Sequence, residues 1–168
     1  HGAMIHGAVV ASTGEIIAVG EFGQIFVSKD GGETWSFEEP PTEERLLGIV
    51  ESKGKLIACG QRGTVISRDV AGGAWKKLDA TVAGDASLRG ICVTSDGTAI
   101  AVGARGTAIA SSDGGASWKK LNLGANTEFN ACTVAPGGKV IAAGNGGAVV
   151  SFNDDGSNVA MPATPVES

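Results

Sequence analysis

The residues best equipped for chemistry are five arginines, four of them placed with a regularity that suggests a purpose. Arg62 and Arg105 hold the same slot of two short glycine-bounded stretches, Gly60-Gln61-Arg62-Gly63 and Gly103-Ala104-Arg105-Gly106. Arg45 and Arg89 each stand shortly before an apolar run of those same segments, and Arg68 lies apart from the four. A planar guanidinium offers a fork of N–H donors that matches a carboxylate or phosphate. Grouped arginines would therefore suit capture of an acidic partner. Glu43, Glu44 and Asp85 are close enough in sequence to pair with them instead, and both readings stand. Three aspartates, Asp30, Asp69 and Asp113, form a second set, each two residues after a serine and shortly before a tryptophan.

Other catalytic apparatus is scarce. There is no tyrosine, and the two histidines are His1 and His6. Adjacent carboxylates such as Glu43-Glu44 and Asp154-Asp155 read as solvated turn charge. Cys59, Cys92 and Cys132 sit inside apolar runs without C-x-x-C spacing, which fits buried small hydrophobes better than a disulfide frame or a zinc site. With no nucleophile elbow, phosphate loop or metal cluster, the sequence gives no catalytic residue, metal or cofactor to name. A net charge of -5 argues against binding nucleic acid through overall charge, and no apolar run approaches the ~20 residues of a membrane helix. No membrane insertion is expected.

The elements that must position these residues repeat. Glycine reaches 27 of 168 residues, and it falls between apolar runs of four or five residues, as turn chemistry does. The first glycines of the G-x-x-G stretches, Gly20, Gly60, Gly103 and Gly144, are 40, 43 and 41 residues apart. Runs without polar alternation predict strands covered on both faces. Four short antiparallel strands per unit at this period is the pattern of propeller blades. The expected fold is an all-β β-propeller with four blades, at about 5–40, 45–80, 88–123 and 129–161. Residues 1–4 read as a tag remnant and 162–168 as a tail.

Between third and fourth strands the stretch Ser28-Lys29-Asp30-Gly31-Gly32-Glu33-Thr34-Trp35 returns as Ser111-Ser112-Asp113-Gly114-Gly115-Ala116-Ser117-Trp118. Ser67-Arg68-Asp69 with Trp75 repeats it with one extra residue, and the fourth version, from Ser151, has Asn153 for aspartate and no tryptophan. Glycine permits the reversal, the aspartate can accept turn N–H groups, and the tryptophan can fold back over the hairpin. The pattern resembles the Asp-box, or BNR, repeat of β-propellers. That resemblance implies a structural role for Ser28, Asp30, Gly32, Trp35, Ser67, Asp69, Trp75, Ser111, Asp113, Gly115 and Trp118. The fourth copy faintly suggests a calcium loop but lacks its spaced carboxylates and distal glutamate.

Asp-box sialidases use a tyrosine nucleophile, which this chain lacks. The combination of apolar strand, V-G-x-x-G, strand and S-x-D-G-G-x-[TS]-W is similar to the photosystem II assembly-factor type of propeller and its bacterial relatives. The likeness implies a non-enzymatic, extracytoplasmic protein that binds a polypeptide through an arginine-rich surface. On it rests the expectation of a protein or peptide partner with acidic groups, engaged by Arg45, Arg62, Arg89 and Arg105. A carbohydrate-binding or glycosidase-like propeller and a purely structural subunit are the alternatives. Four blades are fewer than the roughly seven such a ring usually has. The expected assembly is a homodimer of half-rings making eight blades, against a compact four-bladed ring or part of a longer chain.

Overall fold

The computed structural model describes Gly2 and residues 4–161. The tail expected at 162–168, and the tag remnant apart from Gly2 and Met4, lie outside the described residues.

Four antiparallel sheets follow one another along the chain. Blade 1 is β1 (Ile5–Val10), β2 (Ile16–Gly20), β3 (Ile25–Ser28) and β4 (Ser36–Glu38), paired in that order. Blade 2 is β5 (Leu46–Ser52), β6 (Lys55–Gly60), β7 (Val65–Asp69) and β8 (Lys76–Lys77). Blade 3 is β9 (Leu88–Val93), β10 (Ala99–Gly103), β11 (Ala108–Ser111) and β12 (Lys119–Leu121). Blade 4 has β13 (Phe129–Val134), β14 (Val140–Gly144) and β15 (Val149–Phe152), and its outermost strand is reduced to one bridge, Ser151 to Ala160. All pairings are antiparallel.

The register explains why the apolar runs do not alternate with polar residues. In β6 the side chains of Leu56 and Ala58 face blade 1, while Ile57 and Cys59 face blade 3. Successive strand residues point to opposite faces, so a blade packed on both sides needs an apolar residue at every position. Three apolar seams result. Ile17, Val19, Ile25 and Val27 of blade 1 meet Leu56, Ala58 and Ile66 of blade 2. Ile57, Cys59 and Val65 meet Ala99, Ala101 and Ile109. Ile100, Val102 and Ala108 meet Val140, Ala142, Val150 and Phe152. Burying each isoleucine or leucine contributes roughly 1.5–3 kcal/mol, so the seams bind one blade to the next.

Among the described residues, four blades joined by three seams leave an unpaired face at each end. On blade 1 it carries Ala8, Val10, Ile16, Ala18, Phe26 and Phe37, with Phe26 and Phe37 edge to face at 6.0 Å between ring centres. Val10 is 68% and Phe37 53% exposed. On blade 4 the open face carries Ala131, Thr133, Ile141, Ala143 and Val149. Val149, 41% exposed, occupies the register position of Ile25, Val65 and Ala108, which are buried in the paired seams.

Candidate functional site

The G-x-x-G turns join second to third strands and form a 3-10 turn in every blade. Their first glycines are extended, with φ of -163° at Gly20 and -174° at Gly103, so the torsion alone would admit any residue. What demands glycine is close approach. A Cβ on Gly60 would stand 2.1 Å from the Arg45 carbonyl oxygen, and one on Gly103 would stand 1.9 Å from that of Ser87. Those carbonyls come so near because they accept the next N–H of the turn, from Gln61 and Ala104, each at 2.9 Å. The bonds clamp each turn to the segment leading into its own first strand. Arg45 with Arg62, and Arg89 with Arg105, are thereby held at the same end of blades 2 and 3.

The second residue of each turn is left-handed: φ is 55° at Phe22, 53° at Arg62, 56° at Arg105 and 67° at Gly146. For a residue with a Cβ this conformation costs about 1–2 kcal/mol. Three blades accept that cost, and their side chains gain little burial in return. Phe22 is 70% exposed, and the Arg62 and Arg105 side chains are 77% and 61% exposed.

Each of the four arginines has a carboxylate beside it. Arg45 bonds Glu21 at 2.9 Å, linking blade 2 to the turn of blade 1. Arg62 lies 3.7 Å from Glu44 and Arg105 2.5 Å from Asp85, so the local partners that the sequence allowed are present. Arg89 reaches Glu128 of blade 4 at 3.3 Å. This end of the arc is therefore a charge-balanced row rather than a bare cationic patch. Beside Arg105 a shallow cleft of about 500 Å³ opens over Leu121, Leu123 and Ala125, with Lys120 and Asn122 on its wall. Spacing along the chain does not mark Glu21, Glu128 or Lys120. Counting slots in the turns exposes Phe22, whereas the cross-blade partners carry no local signal.

At the outer hairpins, blades 1 and 3 build one network twice. Asp30 accepts the Ser28 hydroxyl (2.8 Å), the Thr34 N–H (2.9 Å) and the Thr34 hydroxyl (2.5 Å). Ser28 accepts the Gly32 N–H at 2.8 Å, and the Trp35 indole donates to the Gly32 carbonyl at 3.0 Å. Asp113 repeats this with Ser111 and Ser117, and Trp118 with Gly115. Hydrogen bonds from Thr34 and Ser117, above all from their hydroxyls, lower the pKa of Asp30 and of Asp113 to about 2. Every donor in these networks is accounted for inside the turn, which fits a structural role.

Ser67, Asp69 and Trp75 do not form that network, contrary to the expectation. Ile16 pairs with Ser28 and Ala99 with Ser111, but Leu56, at the same position of blade 2, pairs with Arg68. Blade 2 has three residues between its turn glycine Gly63 and Ser67, where blades 1 and 3 have four before the serine. Arg68 consequently takes the serine's slot, and Phe152 takes it in blade 4, opposite Val140. Asp69 bonds Lys55 at 2.6 Å, and the Trp75 indole donates to Glu38 at 2.6 Å. In the fourth turn the Asn153 amide donates to the Ser157 hydroxyl at 3.0 Å.

The displaced Arg68 becomes a bolt between blades 1 and 2. Its side chain is 2% exposed and bonds Glu15 at 2.7 Å and Glu38 at 2.5 Å, with its guanidinium 5.5 Å from the centre of the Trp75 ring. The three cysteines are free, Cys59 and Cys92 buried and Cys132 half-buried. Burial pushes the Cys59 thiol up to about 12, and the Cys92 thiol together with burial pushes Cys132 up. Among the described residues no group of three or more histidine, cysteine or acidic side chains is placed to hold a metal ion.

Radially packed four-stranded antiparallel sheets with clamped inner turns define a β-propeller, and comparison with known proteins agrees. No family model matches the chain. It is 40% identical to the photosystem II assembly lipoprotein Ycf48 of a Picosynechococcus strain over 62 residues, which is 34% of this chain and 18% of that protein. Virginiamycin B lyase from Staphylococcus aureus superposes with a TM-score of 0.82 at 14% identity, over 96% of this chain and 56% of the lyase. A structure of Ycf48 bound to D1 peptide gives 0.67 at 18% identity, over 95% of this chain and 52% of that one. The chain thus spans just over half the length of these solved propellers. It is a β-propeller similar to Ycf48, and its fold is shared with an enzyme as well as with an assembly factor.

Proposed function

We propose that the chain is a non-catalytic propeller scaffold that holds a protein or peptide segment through acidic groups and so assists assembly of a larger complex. The observation that carries this is the clamping of Arg45, Arg62, Arg89 and Arg105 at one end of neighbouring blades, next to a cleft walled by Lys120. Similarity to a propeller that has been solved with a bound peptide supports it. The carboxylates already present do not block the row. Exposed ion pairs are worth about 0–1 kcal/mol each, so an incoming carboxylate can exchange for Glu44 or Asp85 at little cost. Binding by this route should weaken as salt rises, because the pairs lie in water and are screened. The test is Arg62→Glu with Arg105→Glu in a titration against acidic peptides. A loss of tenfold or more is expected, and unchanged affinity would defeat the proposal.

The open faces of blades 1 and 4 favour a second reading, of how the scaffold is completed. Every seam joins the trailing face of one blade to the leading face of the next, and the described residues leave one face of each kind unpaired. A second copy supplies both missing faces in a two-fold ring of eight blades. Light scattering after size exclusion should give twice the chain mass, reduced to the single mass by Phe26→Glu. A monomer of the unaltered chain at micromolar concentration excludes this assembly.

A further inference from the structure

The left-handed turn slot carries an inference that rests on the peptide-binding reading and adds a residue to it. Blade 4 shows that glycine satisfies this slot, at φ 67°. Blades 1, 2 and 3 instead keep Phe22, Arg62 and Arg105 in a conformation that disfavours any Cβ. Such strain persists where something offsets it. The fold does not supply the offset: Phe22 is 70% exposed, and the two arginines contact only exposed or partly exposed carboxylates. Strain without local return at three equivalent, outward-facing positions is explained by what those side chains present to a partner.

We infer that Phe22, Arg62 and Arg105 form one recognition row, in which Phe22 is an apolar anchor and the two arginines take carboxylates. The fitting ligand is an extended peptide with one aromatic or large aliphatic side chain over blade 1 and acidic side chains over blades 2 and 3. Charge supports that order. The blade 1 turn carries Glu21, already bonded to Arg45, and no cation of its own, whereas the next two turns carry arginine. An aromatic side chain is also where an interface concentrates its binding energy.

The experiment uses the whole chain and three synthetic twelve-residue peptides of glutamate and glycine: one plain, one with phenylalanine near its N-terminus and one with it near its C-terminus. One phenylalanine peptide should bind at least fivefold tighter than the plain peptide, and Phe22→Gly should abolish that difference. Thermal unfolding supplies an independent reading. Phe22→Gly, Arg62→Gly and Arg105→Gly should each melt at the same temperature as the parent or higher, since glycine relieves the torsion. Melting lowered by more than about 5 °C shows that the fold needs these side chains and overturns the inference. So does a phenylalanine advantage that is absent, or that survives Phe22→Gly. If the plain peptide binds through Arg62 and Arg105 and phenylalanine adds nothing, the inference fails and the arginine reading stands. If no peptide binds, both fall.

Discussion

Replacing Arg68 with methionine is the most exacting test of how the blades are held together. Methionine keeps most of the aliphatic volume in the seam but removes the guanidinium from between Glu15 and Glu38. The two carboxylates, 16% and 26% exposed, are then left close together with no shared cation. Removing one member of a buried ion pair costs about 3–5 kcal/mol. Partial access of water to both glutamates places the expected loss at the lower end, about 3 kcal/mol. With a urea slope of about 2 kcal/mol/M for a domain of this size, the unfolding midpoint should fall by about 1.5 M. Trp75 donates to Glu38 and lies against Arg68, so its fluorescence reports the seam directly. The decisive comparison is the triple variant Glu15→Gln, Glu38→Gln, Arg68→Met. Neutralising the whole cluster should recover most of the loss, since such clusters can be replaced by uncharged groups at little net cost. A single variant that loses under about 1 kcal/mol, or a triple variant no better than the single, refutes the assignment of Arg68 as the bolt.

Three further outcomes follow from the geometry. Asp30 and Asp113 should titrate near pH 2 by carboxyl NMR; because their folded values are lowered, their stabilising contribution is complete above the ordinary aspartate range near pH 4 and is lost as pH falls toward 2. Gly103→Ala should destabilise by about 2 kcal/mol or more by chemical unfolding, because its Cβ would stand 1.9 Å from the Ser87 oxygen and break the Ala104 clamp. Cys59 should react with a thiol reagent only after unfolding, whereas all three thiols react in the denatured chain; rapid labelling of native Cys59 would contradict its burial and its raised pKa.

Blade number, strand order and turn positions were legible in the sequence because each is written in local spacing. The interval between Gly20, Gly60, Gly103 and Gly144 fixes the repeat, and unalternated runs such as Leu56-Ile57-Ala58-Cys59 mark strands with two buried faces. The slot shared by Arg62 and Arg105 was equally visible, and the expectation that they share an end with Arg45 and Arg89 follows from the same order. The second serine-aspartate turn was aligned on Ser67, whereas the hairpin register aligns it on Arg68. A strand has a period of two, so an offset of one residue exchanges the faces.

Local patterning specifies the repeating unit, since hydrophobic period and glycine placement act within a few residues along the chain. The packing of blade on blade sets what each repeated position touches. It set Glu38 and Glu15 around Arg68, Glu128 beside Arg89 and Glu21 beside Arg45, pairs 24 to 53 residues apart where both ends are hydrogen-bonded. Among the described residues it also left blades 1 and 4 each with an uncovered face, because a seam needs two blades and four blades in an arc make three. The physical reason is common to both: a strand's own residues choose its conformation, but the neighbouring blade chooses which of its side chains are buried, paired or left open to a partner.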